Sequence, residues 1–357
     1  MPRRKGLGCC RGFSERGDPK RWHRHTTQFT WRTLELLHSH RSQPSFTKLR
    51  LNETVDVVVK IEAGNPTGSI KYKTARNLLD RGEAQGHIEP GWDVIESSSG
   101  NLGIALAALC AERGYKFTCV VDPNASEQSL ATIKAHGAQV HQVQERDANG
   151  GFLGTRISYI QRYVSENKKV YWTNQYANPA NPEAHFLYTA KEIDENVPNI
   201  GVLVIGAGTT GTLMGCSKYF GDRVRILAVD SVGSITFGGQ PGDRHVPGLG
   251  TSCRPPIFKR SDWWDFEAVP EREGIAMCRR LARKLGYLAG GSTGLVLAGL
   301  ARRPDLWGIE GAIVVISPDG GEKYLDTIYN DDWVAGRFGL GSLELQGDLP
   351  EPENTES

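Results

Sequence analysis

Seven short runs rich in valine and isoleucine recur along this 357-residue chain, and helix-length amphipathic segments separate most of them. Alternation of strands with helices is typical of a parallel β-sheet whose faces are covered by helices, so we predict the α/β class. The predicted strands are residues 55–59, 93–96, 117–121, 139–140, 202–205, 225–229 and 312–316. The predicted helices are residues 74–81, 102–113, 127–136, 152–167, 182–196, 271–285 and 292–302.

The chain is longer than one hydrophobic core usually supports, so we expect two domains. We place the boundary between an N-terminal lobe at 27–190 and a C-terminal lobe at 191–342, close to the Val-Pro-Asn turn at 197–199. Residues 1–26 are basic and residues 343–357 are acidic, and both are predicted to be disordered tails because they hold too few apolar residues. Ligands of open parallel sheets bind beyond the carboxyl ends of the strands, which predicts a site in the cleft between the lobes.

The composition excludes several classes of function. The 42 basic residues nearly balance the 41 acidic ones, and the formal charge of +1 gives no field that would attract nucleic acid. No apolar run reaches the ~20 residues that a membrane-spanning helix needs, so a soluble protein is expected. The seven cysteines form an odd set without zinc-type spacing, which favours reduced thiols, a cytoplasmic location and no metal site.

Lys71 is the candidate covalent catalyst. A turn built from Asn65, Pro66 and Gly68 brings its amine to the start of an apolar helix. Burial penalises the charged form of a lysine, and the neutral amine condenses with a carbonyl group such as the aldehyde of a cofactor. The alternative is an ordinary loop followed by a solvated lysine in a first helical turn.

A first polar loop, at 96–103, follows a predicted strand and opens a helix. Backbone N–H groups and hydroxyls at a helix N-terminus bind anions, so Ser98, Ser99 and Gly100 are predicted to hold a substrate carboxylate. The alternative is a turn in which Ser99 only caps the helix.

A second polar loop, at 204–212, also joins an apolar strand to a helix. Its glycines let the backbone approach an oxyanion closely, and its threonines add side-chain donors, which predicts a site for a terminal phosphate. The candidate phosphate ligands are Gly208, Thr209, Thr210, Gly211 and Thr212.

The same loop allows a second interpretation. Gly206, Gly208 and Gly211 fit the Gly-x-Gly-x-x-Gly pattern, and Asp230 ends the next strand where a ribose ligand would stand. An NAD-dependent oxidoreductase is therefore the alternative from another class. It leaves Lys71 without a role, and the threonines suit a phosphate monoester better than a pyrophosphate that bare backbone binds.

A third small-residue turn, at 289–294, opens another apolar helix. Ser292 could hydrogen-bond to the ring nitrogen of a heteroaromatic cofactor and leave that ring neutral, whereas an aspartate would keep it protonated. A neutral ring is the weaker electron acceptor and favours elimination at the β-carbon. The alternative role of this turn is helix capping.

Taken in order, these motifs resemble those of the cysteine synthase/cystathionine β-synthase family of pyridoxal-phosphate enzymes, over about residues 40–335. The motifs are Asn65-Pro-x-x-Ser-Ile-Lys71, Ser98-Ser-Gly-Asn101, Gly208-Thr-Thr-Gly-Thr212, Gly290-Gly-Ser292 and Ser317-Pro-Asp-Gly-Gly321.

The resemblance implies fold type II, with two three-layer α/β/α lobes, mainly parallel twisted sheets and pyridoxal 5'-phosphate in the cleft between the lobes. It implies that Lys71 binds the cofactor as a Schiff base and that Asn101 contacts its ring hydroxyl. It also implies that residues 208–212 bind the phosphate of the cofactor and that Ser292 contacts its pyridine nitrogen.

For the substrate, the resemblance implies that Ser98, Ser99 and Gly100 bind the carboxylate with the help of Gln175. Leu102 stands where the commoner cysteine synthases carry a hydroxyl residue, which changes the site.

Several segments are more similar to the branch of the family that makes N-(2-amino-2-carboxyethyl)-L-glutamate. They include Gly154-Thr-Arg156 and Arg244-His-Val-Pro-Gly-Leu-Gly250. That branch joins O-phospho-L-serine to the amine of L-glutamate, on the way to 2,3-diaminopropionate for siderophores or peptide antibiotics.

Two anionic substrates need cationic or strong donor groups, and Arg156 and Arg244 are the candidates. Tyr176 could close over the substrate or could pack in the core.

The alternative with the same chemistry is a cysteine synthase that uses O-acetylserine or O-phosphoserine with sulfide. The resemblance also implies a homodimer.

Overall fold

The structure is a computed structural model that describes residues 45–51, 53–147 and 150–339. The predicted tails at 1–26 and 343–357 lie outside the described residues.

Ten strands in the described residues form two sheets, and both are parallel except for one antiparallel pair at an edge. The strands are β1 Ser45–Arg50, β2 Asp56–Ile61, β3 Asp93–Ser97, β4 Lys116–Val121, β5 Gln139–Gln142, β6 Val170–Trp172, β7 Ile200–Gly206, β8 Arg225–Ser231, β9 Trp264–Val269 and β10 Ala312–Ser317. The large sheet has the order β1-β2-β10-β7-β8-β9, and the small sheet has the order β5-β4-β3-β6.

Helices connect these strands, as the sequence predicts for parallel sheets. The α-helices are α1 Lys71–Ala84, α2 Asn101–Arg113, α3 Glu127–Ala135, α4 Leu153–Glu166, α5 Ala180–Ala184, α6 Lys191–Asn196, α7 Gly211–Phe220, α8 Glu271–Leu285, α9 Gly291–Ala301 and α10 Asp331–Phe338. A π-helical segment, His185–Ala190, joins α5 to α6, and short 3-10 turns lie at Gly221–Arg223, Pro304–Leu306 and Glu322–Tyr324.

All seven predicted strands are present, and the α/β class is confirmed. Three strands were not predicted. β1 and β9 are edge strands with mixed polar and apolar residues, and β6 has three residues, so none has the apolar run that marks a buried strand.

The sheets do not follow the predicted boundary between residues 190 and 191. β2 lies early in the chain, yet it pairs in parallel with β10 near the end, with Val58 opposite Val314. The large sheet therefore takes its strands from both predicted lobes, whereas the small sheet uses only residues 93–172. The central strand β10 pairs with β7 on one side, and the apolar strand β2 is its partner on the other side.

The helix α9 runs through the core under the large sheet, and its first ten residues are buried. It packs against α8 and the strands β7 to β10. A helix that is apolar all round is stable only in such surroundings, so the turn that opens α9 is held rigidly. In the described part of the chain, no helix combines the length and the apolar character that crossing a membrane requires.

Candidate active site

Lys71 is the first residue of α1, and the backbone before it is tied to the loop that follows β10. Ile70 donates its N–H to Pro318 O at 2.8 Å, and Ser69 forms an isolated bridge with Asp319. The turn that carries the amine is therefore fixed to the carboxyl end of a central strand of the large sheet.

The environment of Lys71 favours a neutral amine. Burial lowers the pKa of Lys71 to about 8, although the negative charge of Asp319 acts in the opposite direction. Asp319 is itself 1% exposed, and burial raises the pKa of its carboxyl group. A lysine with this pKa has a reactive fraction near neutral pH, as a covalent catalyst needs.

We expect the cofactor-free protein to take up pyridoxal phosphate faster as the pH rises. Below the pKa of Lys71, about 8, the neutral fraction of the amine grows about tenfold per pH unit, and above it the fraction levels off. Stopped-flow measurement of the visible absorbance of the lysine adduct between pH 6 and 10 tests this. A rate that keeps rising up to pH 10 would contradict the lowered pKa.

Asn101 is the first residue of α2, and its side-chain amide is held between opposite charges. Its Nδ2 donates to Asp319 Oδ2 at 2.7 Å, and Lys323 Nζ donates to its Oδ1 at 2.7 Å. The hydroxyl of Tyr324 also donates to Asp319. A cation on the amide oxygen and an anion on the amide nitrogen fix which way the amide faces.

His185 links the helix of Lys71 to the 208–212 loop. Its Nε2 lies 3.0 Å from Thr74 Oγ1 and 3.3 Å from Thr212 Oγ1, and its Nδ1 lies 3.1 Å from Thr189 Oγ1. Burial, followed by the positive charge of Lys71, lowers the pKa of His185 to about 3. The ring is therefore neutral and bridges hydroxyl groups without adding charge.

The 208–212 loop has the geometry of an anion site. Thr210 adopts a left-handed conformation with φ 67° immediately before α7 begins at Gly211. Any Cβ on Gly211 would collide with Asn181 Oδ1, so this close approach requires glycine. Thr210 Oγ1 is buried and has no hydrogen-bond partner among the described residues.

Ser292 lies in the first turn of α9, where it is 3% exposed. The segment around Gly248 lies against it, since a Cβ on Gly248 would be 3.6 Å from Ser292 Oγ. The same segment is fixed to the 208–212 loop, because Gly250 donates its N–H to Ala207 O at 2.8 Å. The structure thus brings Ser292 next to the predicted phosphate loop.

The fully buried carboxylate of Glu96 fixes the first polar loop through hydrogen bonds. The carboxylate of Glu96 accepts from Ser97 N at 2.7 Å, from Gln175 N at 3.0 Å and from Thr173 Oγ1 at 2.6 Å. Gln175 Nε2 in turn donates to Ser97 O at 3.1 Å. These bonds join the segment of Gln175 to the loop of Ser98.

The alternative in which Ser99 caps α2 is wrong. The N-cap residue is Gly100 and makes no side-chain cap bond, while Ser98 Oγ accepts from Gly103 N at 3.1 Å. Ser99 and Gly100 are partly buried at the tip of the loop.

Arg156 and Arg244 each lie within electrostatic reach of Tyr176. Burial raises the pKa of Tyr176, and the charges of Arg156 and Arg244 both act to lower it. Arg156 Nη1 lies 3.4 Å from Asp122 Oδ2. Both arginines therefore act on a tyrosine that directly follows Gln175.

Sequence reasoning missed a buried ion cluster two residues from Lys71. Lys73 Nζ lies 2.9 Å from Glu62 Oε1 and also contacts Glu192. Lys60 Nζ lies 3.2 Å from Glu62 Oε1 and 2.7 Å from Glu192 Oε2. Asn65 Nδ2 donates to Glu62 Oε2 at 2.6 Å, so this cluster also fixes the turn before Lys71.

Asp319, His185 and Lys323 were missed as well. The only signal for Asp319 was its position in the Ser-Pro-Asp-Gly-Gly motif, directly after a predicted strand. His185 and Lys323 lie on segments without a recognisable motif, so their proximity to the site required the tertiary structure.

The fold defines an enzyme of fold type II, and Lys71 at the start of α1 is connected through Thr74 and His185 to the 208–212 loop. The family described as pyridoxal-phosphate dependent enzyme matches residues 40–319, and the chain belongs to it. Pyridoxal 5'-phosphate is thus the cofactor, and the interpretation as an NAD-dependent oxidoreductase is not supported.

Curated relatives agree with this assignment. The chain is 40% identical, over 284 residues, to N-(2-amino-2-carboxyethyl)-L-glutamate synthase of Ralstonia nicotianae. The matched region covers 78% of this chain and 84% of the relative. It is 38% identical, over 287 residues, to the protein of the same name in Cupriavidus metallidurans, with the same coverage. Among solved structures, O-acetylserine dependent cystathionine beta-synthase from Helicobacter pylori matches with a TM-score of 0.73 and 29% identity, over 81% of this chain and 96% of that one.

The residues present fit the cofactor. The amine of Lys71 has the lowered pKa that imine formation needs, and the unpartnered hydroxyl of Thr210 lies at a helix N-terminus where a phosphate would be stabilised. Ser292 adds a hydroxyl in a buried first turn nearby.

Proposed function

We propose that the protein replaces the phosphate of O-phospho-L-serine with the amine of L-glutamate, giving N-(2-amino-2-carboxyethyl)-L-glutamate for 2,3-diaminopropionate biosynthesis. The observation that carries the proposal is that Arg156 and Arg244 both act electrostatically on Tyr176, which follows Gln175, and Gln175 is bonded to the candidate carboxylate loop through Ser97 O. Two guanidinium groups suit a reaction that joins a phosphorylated amino acid to a dicarboxylic one. The names of the two relatives, at 40% and 38% identity, support the same product.

Lys71 would hold the cofactor covalently, Asn101 would contact its ring hydroxyl, and Ser292 would face its ring nitrogen. Residues 208–212 would bind its phosphate. When bound, pyridoxal phosphate supplies an aldehyde for the substrate amine and a ring that accepts the electrons released at the α-carbon. Ser292 is neutral and leaves the ring nitrogen unprotonated, which favours loss of a group from the β-carbon.

The substrate carboxylate would bind the loop of Ser98, Ser99 and Gly100, at the N-terminus of α2. The helix dipole stabilises an anion there by about 0.3–1 kcal/mol. Gln175 extends this loop and is fixed in place by the buried carboxylate of Glu96. A carboxylate anchored on this loop would hold the α-carbon and β-carbon of the substrate at a constant distance from Lys71.

The amine of Lys71 would remove the α-proton of the bound substrate and later return it. At the β-carbon the C–O bond to phosphate breaks and a C–N bond to L-glutamate forms, while the amine of L-glutamate gives up one proton. Phosphate leaves with the electron pair of the C–O bond. A pKa of about 8 allows Lys71 to act in both directions near neutral pH.

Mass spectrometry of the product tests the proposal. The purified holoenzyme, incubated with O-phospho-L-serine and L-glutamate, should give N-(2-amino-2-carboxyethyl)-L-glutamate and one equivalent of phosphate. Parallel reactions should replace L-glutamate with sulfide, or O-phospho-L-serine with O-acetyl-L-serine. Cysteine formed faster than the glutamate adduct would instead support a cysteine synthase, the second candidate, which the structural similarity to the cysteine synthase from Entamoeba histolytica favours.

The homodimer and the cytoplasmic location stay predictions. The five cysteines in the described residues are free, in line with a reducing compartment. Light scattering of the purified holoenzyme would measure its oligomeric state.

A further inference from the structure

Arg244 lies in the segment between β8 and β9, and its backbone is anchored near the cofactor site. The two backbone N–H groups that follow it donate to the carboxylate of Glu271 at 2.8 Å each. Six residues later, Gly250 donates to Ala207 O, just before the 208–212 loop. The guanidinium of Arg244 also lies against Gly250, where a Cβ would be 2.6 Å from Nη1. The side chain therefore has a defined position beside the candidate phosphate loop.

The guanidinium of Arg244 has no ion-pair partner in the described parts of the chain. Its Nη1 is buried and no described residue accepts a hydrogen bond from it. Burial lowers the pKa of Arg244. The negative charges of Asp230 and Glu271 act against this shift, but neither carboxylate forms a hydrogen bond or ion pair with the guanidinium. Arg279, which is 3% exposed, also has an unpartnered Nη2, but its guanidinium pairs with Ile328 O and with the carboxylate of Asp331.

Arg244 is partly exposed, and its buried Nη1 lacks an acceptor, so an anionic ligand that reaches this guanidinium would supply the missing partner. Arg156 has Asp122 as an ion-pair partner and lies with the small sheet, near the loop of Ser98. Arg244 has no such partner and lies on the side of the large sheet. The two arginines thus differ in how much positive charge they can offer to a substrate.

We propose that Arg244 binds the side-chain carboxylate of the incoming amino acid and so selects a dicarboxylic amine donor; this deepens the proposed function and rests on it. A guanidinium pairs with a carboxylate through two parallel N–H···O bonds. The nearby carboxyl groups of Asp230 and Glu271 would repel a phosphate dianion more than a carboxylate. Arg244 is therefore assigned to the second substrate and not to the leaving group of the first.

Steady-state kinetics of the Arg244→Gln and Arg244→Lys holoenzymes test this assignment. Because a hydrogen bond to a charged group is lost, we expect Arg244→Gln to raise the KM for L-glutamate about 10- to 100-fold. The preference for L-glutamate over L-glutamine, as a ratio of kcat/KM, should fall by a similar factor. The KM for O-phospho-L-serine and the single-turnover release of phosphate without an amine donor should stay within about twofold of wild type.

Arg244→Lys should recover part of the preference, since it keeps the charge and loses only the paired geometry. Arg260 is exposed in the same segment, so Arg260→Gln is the matched control and should change none of these values. A structural role for Arg244 would impair phosphate release and thermal stability together with the preference.

The proposal is overturned if Arg244→Gln keeps the wild-type preference for L-glutamate, or if the KM for O-phospho-L-serine rises instead. In both cases a wild-type enzyme that makes the glutamate adduct would leave the proposed function intact. A wild-type enzyme that makes no such adduct would overturn the proposed function and the role of Arg244 together.

Discussion

Replacing Lys71 with alanine should abolish covalent attachment of the cofactor and lower turnover of O-phospho-L-serine with L-glutamate about 10,000-fold. The loss is large because one amine would serve as the covalent anchor, as the base and as the acid, and general acid–base catalysis alone contributes about 100- to 10,000-fold. Visible absorbance of the purified protein and its mass after borohydride treatment measure the attachment. Product formation measures the turnover.

The matched control is Lys168→Ala, which removes an exposed lysine between α4 and β6. It should keep the visible absorbance, the mass increase after borohydride treatment and the wild-type rate. If Lys71→Ala retained the borohydride-stable adduct, the cofactor would be bound by a different lysine. If it retained turnover, the proton transfers assigned to Lys71 would be wrong.

Much of the site could be predicted because its parts follow strand ends in the sequence. Parallel strands bring their carboxyl ends to one edge of a sheet, so apolar runs followed by Ser-, Thr- and Gly-rich turns predict a shared cleft. The loops that begin after Glu96 and Ile205 meet this rule, and both open helices as expected. Lys71 could be placed because its turn has a recognisable local pattern.

The remaining parts depend on contacts between distant residues, which local patterns do not record. Asp319 and Asn101 are 218 positions apart, and His185 and Thr74 are 111 apart. The pairing of β2 with β10 joins the two ends of the described chain, and no local signal marks which strand an apolar run will pair with. The division of the strands between the two sheets therefore had to come from the structure.

The ion cluster of Lys60, Glu62, Lys73 and Glu192 shows how such contacts position Lys71, the candidate catalyst. Glu62 would have a raised pKa from burial, but the charges of Lys73 and Lys60 outweigh this and hold the pKa below its ordinary value. The carboxylate connects β2, the turn of Asn65 and the first turn of α1. It therefore fixes the segment that carries Lys71 from both sides.

Replacing Glu62 with glutamine should lower the free energy of unfolding of the protein by about 3–5 kcal/mol, because it leaves the two buried lysines Lys60 and Lys73 to share the single carboxylate of Glu192. The stabilisation by Glu62 is present at neutral pH, since its folded pKa is lowered, and it fades as the pH falls through that pKa. Urea unfolding at pH 7 measures the change. Near pH 3 the difference between the variant and the wild type should shrink.

Asp56→Asn is the matched control for Glu62→Gln, because it breaks an ion pair of the same sheet that is exposed to water. Arg50 Nε lies 2.8 Å from Asp56 Oδ1, and the side chains are 67% and 58% exposed. Water and salt screen such a pair, so its loss should leave the unfolding free energy nearly unchanged. If both substitutions lowered the unfolding free energy equally, burial would not be the reason that Glu62 stabilises the protein. A double substitution of Glu62 and Lys73 with methionine should be less destabilising than Glu62→Gln alone, since it removes one negative and one positive charge and leaves Lys60 paired with Glu192.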